Sequence, residues 1–175
     1  AKSGAKPKRT ILFIGFAGEE FGLLGAQAWV KAHKDKLPKI ANLFNRDGGP
    51  EPPVGISVPQ AMYDDFVKIS EPIQKIRPDY PFEVKVREPR KRPTRMGGTD
   101  ASVFAIEGVP TLGFTTEDFK GYDFDYGEIW HTERDLYTKN IPEYQEHTAT
   151  VTAIIALGVA NLDKQLSREG LYTEE

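Results

Sequence analysis

The chain has 175 residues, enough for a single domain with its own core. Hydrophobic residues make up 39% and charged residues 28%, a soluble globular composition, and 23 basic against 26 acidic residues give a net charge of −3 that argues against general nucleic-acid binding. The absence of cysteine excludes disulfides, thiolate catalysis and cysteine-built zinc modules, and no apolar run reaches membrane-spanning length.

Residues 1–9, rich in Lys, Gly and Pro, read as a linker, and the lack of an initiating Met suggests a piece of a longer chain. Ile11 to Ile14 form a short continuous apolar run, as expected of a strand buried on both faces. It runs into Glu19 and Glu20, set among Gly15, Gly18, Gly22 and Gly25, where the backbone can turn sharply and approach a ligand. Two readings stand for this turn: a ligand site at a strand's carboxyl end, or a solvated acidic turn suiting the dipole of the next helix. Leu23, Ala26, Trp29, Val30 and His33 follow helical spacing, with His33 at the exposed last turn.

Ile40 to Phe44 read as a second strand ending at Asp47-Gly48-Gly49, where Asp47 is either a further ligand or a simple turn former. Val54 to Val58 suit a short strand. Met62, Phe66, Ile69, Ile73 and Ile76 draw an amphipathic helix, with a kink or break expected at Pro72. Phe82, Val84 and Val86 alternate with charges, as in a peripheral strand.

Arg87 to Arg95 is the densest basic run; it is either a solvated loop or, through Arg90 and Arg92, a clamp for a carboxylate. Ala101 to Ile106 suit a short helix capped by Thr99 or Asp100, and Val109 to Phe114 a further buried strand. The loop from Lys120 to Trp130 is dense in aromatics, and Tyr122, Phe124, Tyr126 and Trp130 either line a side-chain pocket beside His131 or simply pack the loop. A long helix begins near Pro142, with Val151, Ile154, Ile155, Val159, Leu162 and Leu166 on one stripe and His147 off it, expected exposed.

Glu19, Glu20, Asp47 and His131 supply hard carboxylates and one imidazole, a donor set suited to catalytic zinc. Neighbouring glutamates allow one to ligate the metal while the other accepts a proton. Adjacent carboxylates do not straddle a sugar as a glycosidase requires, no G-x-S-x-G occurs, and phosphate-loop and dinucleotide fingerprints are absent.

The order AGEEFGLLGA, NRDGG, GGTDASVF and IWHTERDL resembles the dinuclear zinc exopeptidases of metallopeptidase family 28, over essentially the whole chain. GGTD and the DGG followed by PPVG are similar to the carboxypeptidase Q-like branch. The resemblance implies an α/β three-layer sandwich with a mostly parallel central sheet flanked by helices, the chain 1–175 forming the C-terminal portion of one catalytic domain. It implies Glu19 as general base, Glu20 and His131 as ligands of one zinc, Asp47 as a ligand of a second, and Asp100 and Asp135 as outer residues positioning ligands or substrate. Two zinc ions about 3.5–4 Å apart would share a water, Glu19 would take its proton, and that proton would reach the leaving amine. The partner is then a peptide substrate, and export to a periplasmic or secreted location is suggested. A non-catalytic receptor domain and a glutaminyl cyclase share the fold and stand as alternatives.

The family draws a further His and a bridging Asp from ahead of the double-Glu strand. Residues before Thr10 include neither. The expectation is that this chain alone holds one zinc weakly or none, and hydrolyses nothing, whereas a longer parent would.

Overall fold

In the computed structural model, which describes residues 4–173, the helices follow the apolar spacing of the sequence. Helix α1 spans Leu24–Ala32 and buries Ala26 and Val30; helix α2 spans Tyr63–Ile76 and buries Phe66 and Ile73. Pro72 does not break α2, which runs through it as one element. Pro72 is exposed, so the Lys68 carbonyl that loses its donor there is on the solvent side of the helix, where water can bond it. Helix α3 is Ala101–Ile106, the single turn α4 is Tyr126–Ile129, and α5 is Pro142–Asn161, with proline in the first turn where its missing N–H costs nothing. Leu162 and Leu166 lie beyond the end of α5, although Leu166 is still buried in the core.

Among the described residues, three strands form one sheet in the order β2-β1-β3: β1 is Pro53–Val58, β2 Glu83–Val86 and β3 Phe114–Thr116. The unit β1-α2-β2 is a parallel crossover, with Ile56 opposite Val84 and Val58 opposite Val86. β3 runs antiparallel on the other side of β1, with Phe114 opposite Ile56. The α/β architecture of a sheet flanked by helices therefore holds, in a small mixed sheet with β2 and β3 at its edges.

Three expected strands take another form. Leu12, Phe13 and Ile14 are exposed and extended without a ladder, because no strand among the described residues pairs with them. Ile40 to Phe44 lie beside residues 109–113, joined not by a regular ladder but by the Asn42 side chain, which accepts from Leu112 N at 2.8 Å and donates to Leu112 O at 3.2 Å. Pro110, which cannot donate, interrupts the pairing there, and only its carbonyl takes part, accepting from Leu43 N at 2.9 Å. The expected 1–9 linker falls partly outside the described residues; Lys8 and Arg9 are bound to the end of α5, Arg9 N donating to Ala160 O at 3.1 Å.

Two apolar clusters hold the fold. The larger joins the sheet to α2 and α5 through Ile56, Val58, Phe66, Ile73, Val151 and Ile155. Each such side chain contributes about 1.5–3 kcal/mol when fully buried. The second joins α1 to α3 through Ala26, Val30, Val103 and Phe104.

His147 corrects the expectation of an exposed histidine: it is fully buried. The Pro53 carbonyl at the start of β1 needs a donor, and His147 Nε2 lies 3.0 Å from it. The ring stacks on Tyr80 at 3.8 Å between centroids, and Nδ1 has no partner. Burial pushes the imidazole below its ordinary value, against the Pro53 carbonyl, while the Arg77 cation lowers it further. The unfolded chain thus binds a proton that the folded chain resists, so stability is full above the unfolded value of 6.5 and falls as pH drops below it towards the folded value. Denaturant titrations at about pH 7.5 and about pH 5.5 should show this loss. His147→Gln should flatten it relative to the parent chain; an unchanged slope would remove His147 as its source.

Candidate metal centre

The double-Glu turn is built by backbone geometry. Glu19 O accepts from Gly22 N at 3.0 Å and Leu23 N at 2.8 Å, and Gly25 N donates back to Ala17 O at 2.8 Å. A side chain on Gly25 would meet Ala17 N at 2.6 Å, so only glycine lets α1 start this close to the preceding chain. Leu23, at φ 61, sits in the left-handed region and turns the chain into α1.

The turn opens one wall of a cavity of about 1050 Å³. Its walls include Glu19, Glu20, Asp47, Asp135, Tyr126, Trp130 and His131. Thus residues far apart in sequence meet in one cleft. His131 Nε2 lies 3.1 Å from Glu20 Oε1. His131 holds φ 56, a conformation that costs a non-glycine residue about 1–2 kcal/mol. Such strain concentrates at functional sites. Trp130 lies against the imidazole, ring centroids 4.6 Å apart. Asp125 caps the preceding turn by accepting from Gly127 N at 2.8 Å, and Thr132 Oγ1 donates to Glu128 O at 2.9 Å.

Glu19 is half-buried, and its carboxylate has no hydrogen-bond partner among the described residues. Burial raises its pKa first; the carboxylates of Asp47, Glu20 and Asp100 raise it further, and His131 opposes them. Asp100 is buried at the start of α3 but does not cap it, contrary to expectation, and neither does the Thr99 side chain. The Asp100 backbone is already helical, and its Oδ1 is left without a partner. Burial, then Asp47, raises the Asp100 pKa.

Glu20 Oε1 and His131 Nε2 stand at a direct hydrogen-bond distance that is also close to the separation of two ligands on one zinc. Atoms each about 2.05 Å from one tetrahedral ion lie about 3.3 Å apart, and the pair stands at 3.1 Å. Among the described residues, no three His, Asp or Glu side chains close into a finished ion site. Glu20, His131 and Asp47 could therefore hold metal only with further donors.

Arg90 and Arg92 do not line the cavity. Arg92 donates Nε to Ile106 O at 2.9 Å, meeting the free carbonyls at the end of α3. Arg90 donates to Thr111 Oγ1 at 3.3 Å, and its carbonyl accepts from Thr173 N at 3.1 Å. Of the aromatic loop, Tyr126 and Trp130 line the cavity, whereas Tyr122 donates to Glu143 and Phe124 packs over Gly49. Arg46, Gln145 and Thr148 also line the wall and were not singled out from sequence. Position 46 lies inside NRDGG beside Asp47, and positions 145 and 148 share one face of α5, which were the available signals.

The fold and cleft define a peptidase-like α/β domain, and the sequence comparison gives it a family. The family model "Peptidase family M28" matches residues 1–155, and the chain belongs to that family. Mouse carboxypeptidase Q is 24% identical over 170 residues, covering 94% of this chain and 32% of its own length. The solved Peptidase M28 precursor of Shewanella amazonensis SB2B is 25% identical with a TM-score of 0.70, covering 94% of this chain and 34% of that one. A "Probable zinc metalloprotease" of Pyrenophora tritici-repentis is 50% identical over 42 residues, 24% of this chain and 10% of that protein. The chain thus spans about a third of the length of the carboxypeptidase Q and precursor relatives. No helix among the described residues is long and apolar enough to cross a membrane.

Proposed function

We propose that this chain contributes part of the active site of a zinc-dependent exopeptidase that removes single residues from peptides or splits short ones. The observation that supports it is the zinc-compatible spacing of Glu20 and His131 beside the unpartnered Glu19 carboxylate in one cavity. Glu20 and His131 would hold one zinc and Asp47 would serve a second, and the metal when bound would supply Lewis-acid chemistry towards water and a peptide carbonyl. Glu19 accepts the proton of the attacking water at a free carboxylate oxygen and passes it to the leaving amine. Asp100 and Asp135 orient these groups from behind and beside them, and Tyr126 and Trp130 flank the substrate side chain. A cavity of about 1050 Å³ admits a di- or tripeptide.

The test is made on the full-length protein with unblocked dipeptides. Chelation should abolish turnover and added zinc should restore it. Turnover that survives metal removal overturns the reading, and cyclisation of an N-terminal glutaminyl peptide in place of hydrolysis would redirect it to a cyclase.

A further inference from the structure

A single carboxylate outside the cavity shapes the loop that leads into one of its walls. Asp118 follows β3 and does not line the cavity. Its Oδ1 accepts from Tyr122 N at 3.1 Å and from the Tyr144 hydroxyl at 2.6 Å, and its Oδ2 accepts from Phe124 N at 3.4 Å. Tyr144 is fully buried in the first turn of α5, and its oxygen accepts in turn from Lys120 N at 3.0 Å. The loop is thereby fastened to α5, with Gly121 at φ 70 and Asp123 at φ 52 held in left-handed conformations. Beyond this knot, Phe124 lies on Gly49. A Cβ at position 49 would stand 2.7 Å from two atoms of the Phe124 ring and 3.0 Å from Tyr126 Cδ2. Gly49 belongs to the turn that carries Asp47, two positions away.

We infer that Asp118 is a positioning residue for the cleft: by shaping residues 120–124 it seats Phe124 and Tyr126 on Gly49, and so braces the turn that holds Asp47 at the cavity wall. The inference rests on the exopeptidase reading only for what Asp47 binds. The Asp47 side chain makes no hydrogen bond among the described residues, and the carboxylates of Glu19 and Asp100 repel it. Its place therefore depends on the backbone turn beneath it. That turn is braced from two sides. On one, Arg46 Nη2 donates to Glu51 O at 2.7 Å and to Gly49 O. On the other stand the rings of Phe124 and Tyr126, which reach the backbone only because position 49 has no side chain. Asp118 reaches the second brace through Phe124 N, the amide of the residue whose ring makes the contact.

The test uses the full-length protein, unaltered and with Asp118→Ala, Asp118→Asn or Gly49→Ala. The metal-free protein is treated briefly with trypsin. Cleavage after Arg46, inside the braced turn, is compared with cleavage after Lys68 in α2, which reports opening of the domain as a whole. Asp118→Ala should raise the first rate about ten-fold relative to the second, the scale of one lost charge-assisted bond. Asp118→Asn keeps one acceptor oxygen and should fall between Ala and the parent. Gly49 does not have a left-handed backbone, so Gly49→Ala disturbs the ring contact and should open the same turn with the Asp118 bonds in place. In zinc calorimetry, Asp118→Ala should weaken binding about ten-fold where Asp47 is present and add nothing in an Asp47→Asn background. An unchanged ratio of the two cleavages, or the same zinc loss without Asp47, would make Asp118 a support of the fold alone and overturn the inference. Trypsin reads the turn with no metal present, so it decides Asp118 separately from the exopeptidase reading, which fails if the unaltered protein neither binds zinc nor hydrolyses a dipeptide.

Discussion

Glu19→Gln in the full-length protein should lower kcat for a dipeptide by about 10²–10⁴-fold with zinc content unchanged. The substitution conserves shape and removes only the capacity to take a proton. Nothing structural should be lost with it, because the turn is held by the Glu19 backbone carbonyl and the side chain has no partner among the described residues. The neighbouring Glu20 faces His131 at 3.1 Å, so the proposed reading separates a ligand role at Glu20 from a base role at Glu19. Steady-state kinetics paired with metal analysis read the two roles independently. An unchanged kcat would remove Glu19 as the base, and joint loss of turnover and zinc would make it a ligand.

The helices were legible because their periods are local: Phe66 and Ile73, or Val151 and Ile155, declare a buried face without knowledge of the partner. Strands are pairings, and that information lies elsewhere in the chain. The run Ile11 to Ile14 has the composition of a buried strand and no partner among the described residues, while Pro110 replaces a ladder with the bonds of Asn42. His147 was misjudged because its burial answers a need of Pro53, 94 positions away. The acids and His131 were legible because glycine turns and a donor set carry chemical meaning. Arg46, Gln145 and Thr148 were not, because nothing in their local sequence says which side chains the fold turns towards the cavity. Arg90 and Arg92 stood out by charge density, yet the end of α3 and Thr111 absorb them.

His131 offers an expected result in which stability and metal binding part company. In the full-length protein, removing this imidazole should weaken zinc binding by more than the about 10–100-fold typical of losing a supporting residue such as Asp100. Ala and Gly should be equally damaging here, since neither carries a donor. They should differ in the metal-free fold. His131 holds φ 56, which alanine must also adopt at a cost of about 1–2 kcal/mol, while glycine adopts it freely and gives back part of the gain through its more mobile unfolded chain. The ordering expected in chelator-treated denaturation is therefore Gly above Ala, with neither variant recovering zinc affinity by calorimetry. The metal-free condition is needed because bound zinc would itself stabilise the parent and mask the comparison. If His131→Ala binds zinc like the parent, the imidazole is not a ligand, and the 3.1 Å approach to Glu20 is an ordinary surface pairing. If Ala and Gly are equally stable, the strain at 131 is no larger than the unfolded-chain entropy that glycine gives back, and the imidazole's placement is then explained by its contacts with Trp130 and Glu20.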